Sequence, residues 1–232
     1  LICIQAGNVN SGNFDPASEI CAIARESQSW VHVDGAFGLW AMCSPSRRHL
    51  VEGFCAADSW ATDAHKWLNI PYDCGIAFVR NAKAVYRSMN MQASYLPLGQ
   101  LREPMQWTPE MSRRARGIEL WAALKSLGRA GVSDLIDRTS ADAQRFAAEL
   151  HAAGFEILNE VVTNQVLVSF GTDEVTHAVI AAVQRDGTCW CGPTFWRGRA
   201  AMRISVSSWV TTDEDVTCSL DAIIRIAKEH QK

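Results

Sequence analysis

Lys66 stands directly after His65 at the end of a short apolar stretch, Ser59-Trp60-Ala61-Thr62, and Asp34 closes another, Trp30-Val31-His32-Val33. The residues after Asp34, Gly35-Ala36-Phe37-Gly38, are mostly small and let a flat ligand approach the backbone. An amine at a strand end can condense with an aldehyde to give a Schiff base. A carboxylate at a neighbouring strand end can keep a ring nitrogen protonated, so that the ring accepts electrons. Those are the two charges that pyridoxal 5'-phosphate requires of a protein. Taken singly, Asp34 reads equally well as an ordinary turn carboxylate, and Lys66 as one more solvated surface lysine.

The two residues lie in a wider pattern. His32-Val33-Asp34-Gly35-Ala36, Asp58-Ser59, His65-Lys66-Trp67, Tyr72-Asp73-Cys74-Gly75, Ser112-Arg113-Arg114-Ala115-Arg116 and Met202-Arg203-Ile204-Ser205-Val206 occur in that order across nearly the whole chain. In these stretches the sequence resembles the group II pyridoxal-phosphate-dependent decarboxylases, relatives of aromatic amino acid and glutamate decarboxylases. The resemblance implies an α/β chain of the fold type I PLP-dependent class. It implies Lys66 as the Schiff-base lysine, Asp34 as the partner of the ring nitrogen, His65 as a phosphate contact and Ala36 as the small residue against one ring face. Arg203 would clamp the substrate carboxylate. Asn10, with Asn8 and Ser11, falls where the family places polar groups near the ring oxygen or substrate, although turn chemistry explains these asparagines equally well. Thr62 and Ser59 would neighbour the phosphate or the lysine, or serve as plain strand residues. His32, two residues before Asp34, shares its strand face and would support the carboxylate or fill the core.

The implied activity is decarboxylation of an amino acid by a homodimeric carboxy-lyase. Aminotransfer and aldehyde synthesis use the same lysine and carboxylate, and a non-catalytic fragment of the same fold is a further alternative. Two departures bear on the choice. Asp63-Ala64 precede His65 where many family members carry an asparagine, and a carboxylate beside a phosphate is repelled. Asp63 must point away, pair with a cation, or disfavour the usual phosphate geometry. The family's loop tyrosine, which returns a proton to the substrate carbon, has Pro104 at its expected place, and Tyr95 is the tyrosine nearby. Without a tyrosine in that role the chemistry would drift towards aldehyde formation or transamination.

The elements that must position these residues follow from pattern. Leu1 to Gly7 reads as a buried strand needing neighbours on both sides. Asp15 as N-cap and Pro16 at the first helical position open a helix through about residue 26. Strands are expected at 30–34, 59–62 and 75–80, with ligands at the carboxyl ends of a mostly parallel sheet. An aperiodic, proline-punctuated loop covers 94–109. Helices follow at 114–128 and, with Ser133 as N-cap, at 133–154. Strands at 166–170 and 202–207 and helices at 174–185 and 212–229 complete a small α+β unit. This divides the chain into 1–110, the C-terminal part of a cofactor-binding large domain, and 111–232, connecting helices with a small C-terminal domain. By resemblance, a phosphate-binding turn and a ring-stacking residue belong to sequence upstream of Leu1.

Composition sets the remaining bounds. The chain has 232 residues, 48% of them hydrophobic, and a net charge of −3. No Lys/Arg run exists to neutralise a phosphate backbone, so no nucleic-acid partner is expected. Arg113, Arg114 and Arg116 form the densest basic cluster and suggest an interface or an anion contact. No apolar run has the length of a membrane span, and no signal peptide is visible. The eight cysteines are scattered without metal-ligand spacing and read as buried free thiols of a cytoplasmic protein.

Overall fold

A computed structural model describes residues 1–91, 95 and 101–230. Two four-stranded sheets organise them. The first has the order β1-β2-β3-β4, from β1 (Ile2–Gln5), β2 (Val31–Asp34), β3 (Ser59–Asp63) and β4 (Gly75–Val79). β1, β2 and β3 run parallel and β4 pairs antiparallel to β3. Their register places Gln5 beside Asp34 and Asp34 beside Ala61, so the strand-end polar residues share one edge. Strand alternation explains the faces. Val31, Val33 and Ile4 turn into a core shared with Ala17, Cys21 and Ala24 of α1 (Ala17–Glu26), while Cys3 and Asp34 are exposed on the other side.

Among the described residues β1 has β2 as its sheet neighbour and lies at the edge of the sheet. The free edge is partly occupied by the chain itself: Gln5 N–H donates to Asp15 Oδ2 at 2.7 Å, and Asp15 N–H to Gln5 O at 3.0 Å. That bond draws the Asp15 carboxylate away from α1. Pro16 therefore takes the cap position, without a side-chain cap, in place of the expected Asp15.

Past β4, α2 (Ala82–Met89) is a helix the pattern did not suggest, capped by Asn81, whose Oδ1 accepts from Ala84 N–H at 3.2 Å. The loop expected over 94–109 falls partly outside the described residues; within it Pro104–Gln106 form one turn of 3-10 helix. The two expected long helices meet within α3 (Gly117–Ala152), which is broken at Gly128, where φ 61° and ψ −173° are non-helical. Gly128 accepts this left-handed conformation without a Cβ penalty, and the helix resumes at once. Ser133 thus lies inside α3 and donates to Asp137 Oδ2 at 3.3 Å instead of capping an end.

The second sheet is antiparallel, ordered β5-β6-β8-β7: β5 (Glu156–Ile157), β6 (Gln165–Ser169), β7 (Gly192–Trp196) and β8 (Arg199–Ser205). β7 contains Pro193, which hid it from a pattern reading; it is tolerated because β7 is an edge strand. α4 (Asp173–Asp186), α5 (Asp213–His230) and the second half of α3 cover one face, burying Phe146, Leu150, Val179, Ile180, Leu220 and Ile223 against Val166, Val168 and Met202. The ends of α4 are sharply set: Thr172 Oγ1 accepts from Val175 N–H, and Gly187 closes the helix at φ 80°.

Candidate active site

The carboxyl ends of β1 and β2, the turn after β3 and the end of β8 surround one open cavity of about 690 Å³, within the usual span of about 300–1,000 Å³ for ligand pockets. Lys66, Asp34, His65, Ala36 and Arg203 all line it. These five come from three separate parts of the sequence.

Lys66 sits in a tight turn directly after β3. Its side chain is 48% exposed, and Nζ makes an ion pair of 2.8 Å with Asp63 Oδ2. His65 Nε2 lies 3.8 Å from the same oxygen. The His65 ring is held from its other side, because Cys74 N–H donates to Nδ1 at 3.1 Å. Cys74 O lies equally near Nδ1 but already accepts from the Ala64 and His65 N–H groups. This assigns the ring proton to Nε2, facing Asp63 and the cavity. Tyr72 leans on the ring at 4.2 Å between centroids.

The turn carrying Tyr72 and Cys74 is pinned by the basic cluster. Arg116 Nε donates to Asp73 Oδ1 at 2.9 Å and Arg114 Nη2 to Asp73 O at 3.0 Å. The hydrogen bond from Arg116 holds the Asp73 carboxyl below its ordinary range. The arginines expected at an interface or anion site therefore serve contacts within the chain; Arg114 also pairs with Glu119, and Arg113 with Glu110 at 3.6 Å.

Asp34 is exposed at the cavity edge. Its Oδ1 accepts from Ala36 N–H at 3.1 Å, and it has no ion-pair partner among the described residues. An unpaired carboxylate facing a cavity is available to a cationic group of a ligand. Arg203 reaches over from β8 and donates to Val9 O at 3.3 Å, which bridges the second sheet to the loop after β1. Trp67, fully buried, fixes the lysine turn from below by donating from Nε1 to Thr139 Oγ1 at 2.9 Å, with Phe37 against its ring at 5.9 Å.

Other expected site residues lie elsewhere. Asn10 does not line the cavity; its Oδ1 accepts from Thr194 Oγ1 at 2.7 Å and ties the loop to β7. Asn8 Oδ1 accepts from the N–H groups of Asn10 and Ser11, the turn chemistry that competed with a ligand role. Thr62 is buried with an unpartnered hydroxyl and is outside the lining, because strand alternation turns it away from Asp63. Ser59 accepts from Trp30 Nε1 and bonds His32 Nδ1, each at 2.8 Å, so neither Ser59 nor His32 reaches Lys66 or Asp34. Tyr95 is 75% exposed and is not among the described residues lining the cavity.

The structure adds Gln5, Tyr72, Asn164, Gln165 and Ser205 to the lining. Gln5 was legible in principle, since it ends β1 beside Asp34. Asn164 and Gln165, almost fully buried polar residues at the start of an apolar strand, also carried a signal.

The family model described as the pyridoxal-dependent decarboxylase conserved domain matches residues 1–172. The chain belongs to this family. Its relatives include a histidine decarboxylase of Drosophila melanogaster, 30% identical over 93% of this chain and 26% of that protein. Among solved structures, the Oryza sativa TDC with PLP and tryptamine superposes with a TM-score of 0.93 at 23% identity, over 99% of this chain and 51% of that one. The 4-hydroxyphenylacetaldehyde synthase of Rhodiola rosea gives 0.86 at 25%, over 98% and 49%. The fold is accordingly that of the type I PLP-dependent decarboxylases, as the resemblance implied. The chain spans about half the length of these solved relatives and about a quarter of the histidine decarboxylase.

Three further expectations concern the whole molecule. No helix among the described residues is long and apolar enough to cross a membrane. No group of three or more His, Cys, Asp or Glu side chains among them is placed to hold a metal ion. All eight cysteines are free, but only Cys21, Cys74 and Cys191 are buried, fewer than expected; Cys3, Cys55 and Cys218 are exposed.

Proposed function

We propose that the protein is a pyridoxal-5'-phosphate-dependent carboxy-lyase acting on an amino acid, with residues 1–110 contributing to the cofactor domain and 111–232 forming the connecting helices and small domain. The observation that carries this reading is the convergence of Lys66, Asp34 and Arg203 on one cavity, an amine, an unpaired carboxylate and a guanidinium drawn from both sheets. The donor set fits the cofactor. Lys66 Nζ is solvent-accessible for covalent attachment, Asp34 has free acceptor capacity for a ring N–H, Ala36 leaves room for a ring face, and His65 offers an Nε2 proton to an anion.

Bound pyridoxal phosphate supplies an aldehyde that condenses with amines and a ring that takes up the electron pair of a bond broken at Cα. The chain's residues set which bond breaks. Arg203 binds the substrate carboxylate, and its planar fork holds that group in one orientation, which is what loss of CO2 requires. Asp34 would hold the proton of the ring nitrogen, and Lys66 Nζ would be the amine that holds the aldehyde. Trp67 below the lysine turn restricts how far Nζ can wander.

A second reading, aldehyde formation, is favoured by one observation: Pro104 stands where the family's proton-returning tyrosine is expected, and Tyr95, the tyrosine nearby, is not among the described residues lining the cavity. The resemblance to the Rhodiola synthase is compatible with it. Product analysis separates amine from aldehyde. A cytoplasmic homodimer is part of the first reading; the free edge of β1 and the exposed Ile118 and Trp121 on α3 support a further protein surface against this chain. The test of the cofactor assignment is borohydride reduction of the cofactor-loaded protein followed by peptide mass spectrometry. Cofactor mass on Lys66, with CO2 release lost in Lys66→Ala, is the expected result; mass on another lysine refutes the assignment.

A further inference from the structure

The lysine and the histidine of the cavity share a partner that the pyridoxal chemistry does not call for. Asp63 Oδ2 is 2.8 Å from Lys66 Nζ and 3.8 Å from His65 Nε2. Its place is fixed by the backbone. Asp63 ends β3 opposite Gly75, its N–H donates to Ala36 O at 2.8 Å, and its carbonyl accepts from Lys66 N–H at 3.3 Å. A carboxylate so held is outside the cavity lining but contacts the two side chains, Lys66 and His65, that do line it.

Resting on the pyridoxal-dependent reading above, we infer that Asp63 is a positioning residue that holds Lys66 in reserve and competes with the phosphorylated aldehyde for it, so that cofactor supply sets the fraction of protein in the loaded form. The chemistry of capture explains the competition. A bond forms between Nζ and the aldehyde carbon, and the aldehyde oxygen leaves as water. The two hydrogens of that water come from the ammonium; the third stays on nitrogen, and the positive charge is retained. The fully protonated amine, which makes the strongest contact with Asp63, has no lone pair to attack with, so the contact must loosen first. The arriving ligand also brings a phosphate of charge about −1.5 to −2 towards a fixed carboxylate, and like charges oppose each other.

Both side chains are partly exposed, Lys66 at 48% and Asp63 at 30%, so the effect is moderate. A partly exposed pair of this kind shifts an equilibrium by roughly 1.5- to 5-fold. The test compares native protein, Asp63→Asn and Asp63→Glu, each mixed with pyridoxal or pyridoxal 5'-phosphate, quenched with borohydride over time and digested to measure mass on Lys66. Asp63→Asn is expected to capture pyridoxal faster by about that factor, and the phosphorylated aldehyde by a larger one. Asp63→Glu should remain slow. Added salt should speed pyridoxal capture by the native protein and leave Asp63→Asn unchanged. A merely structural role would make the two variants behave alike, because both disturb the turn and only one removes the charge. Equal capture by native protein and Asp63→Asn, or equal acceleration in Asp63→Glu, overturns the inference while the pyridoxal reading stands. Absence of mass on Lys66 in all three proteins overturns that reading and this inference with it.

Discussion

Replacing Asp34 with asparagine changes a charge and almost no shape. The Ala36 N–H that donates to Oδ1 at 3.1 Å finds the same acceptor in the amide oxygen, and no ion pair among the described residues is broken. Asp34 lies exposed at a strand end, where a substitution that spares packing costs about 0.5 kcal/mol or less. Its effect on chemistry is of another order. Opposite unit charges about 4 Å apart interact by about 4 kcal/mol at an effective dielectric near 20. Exposure of Asp34 in this chain argues for discounting that figure towards half, giving about 2–4 kcal/mol. At about 1.4 kcal/mol per factor of ten, turnover falls roughly 30- to 1,000-fold.

Three measurements on Asp34→Asn check this: initial CO2 release at saturating cofactor, cofactor affinity by absorbance titration, and thermal unfolding without cofactor. The expected pattern is a large loss of rate, a smaller loss of affinity and an unchanged melt. Turnover within threefold of native at full cofactor occupancy would refute the role, because Asp63, the carboxylate beside the lysine, is already paired with Lys66 Nζ at 2.8 Å. A lowered melt of the cofactor-free protein would refute the premise that the substitution spares the fold.

Other perturbations test the cavity from different sides. Arg203→Lys keeps the charge but loses the planar fork, so KM for the amino acid should rise about tenfold or more; an unchanged KM in steady-state kinetics removes Arg203 from substrate binding. Trp67→Phe deletes the bond to Thr139 Oγ1 and leaves a small void, which should cost about 1–3 kcal/mol in urea unfolding; a loss under about 0.5 kcal/mol would mean the turn does not depend on it. Asp142, buried in α3, has its carboxyl raised by burial against a smaller opposing effect of Arg138. A raised folded value disfavours the charged form, so the destabilisation is present at neutral pH and fades as pH falls through that value. Asp142→Asn should therefore stabilise the protein at pH 7 by up to about 1 kcal/mol, with the gain shrinking in acid; a stability gain that grows on acidification contradicts the sign.

How much of this was legible in the sequence depended on which interaction dominated locally. β2 was readable because burial alternation and a terminal charged residue coincide there, and β3 as a short run closed by a charged residue, so Asp34 and Lys66 follow from where such strands end. α4 was readable because Thr172 and Gly187 bracket it with capping chemistry. Two of the misreadings share one physical cause: a polar side chain had a tertiary partner stronger than its local one. Asp15 bonds the free N–H of edge strand β1 instead of capping α1, and Asn10 bonds Thr194 across the chain instead of facing a ligand. The break expected at Gly128 is found there, but the second helix resumes before Ser133, which therefore lies inside it and caps no end. No sequence signal announced the Asp63–Lys66 contact, although pairing with a cation was one of the three outcomes open to a carboxylate at that place.

The same reasoning explains how two sheets come to share one site. Asn69, which looks like any turn residue, has φ of 55°, a left-handed conformation that asparagine tolerates better than most side chains. That conformation lets its amide serve both units at once. Nδ2 donates to Trp67 O at 2.8 Å and to Ser207 O at 2.7 Å, and Oδ1 accepts from Trp209 N–H at 3.3 Å. One side chain thus fastens the turn carrying Lys66 to the segment that continues from β8, the strand carrying Arg203. The orientation of a substrate between a lysine and an arginine is a single geometric quantity, and the rigidity of this link sets how well it is held. Under the proposed function, selectivity for one bond at Cα then depends on Asn69, an uncharged residue of the cavity wall that inspection of the charged groups alone does not reveal.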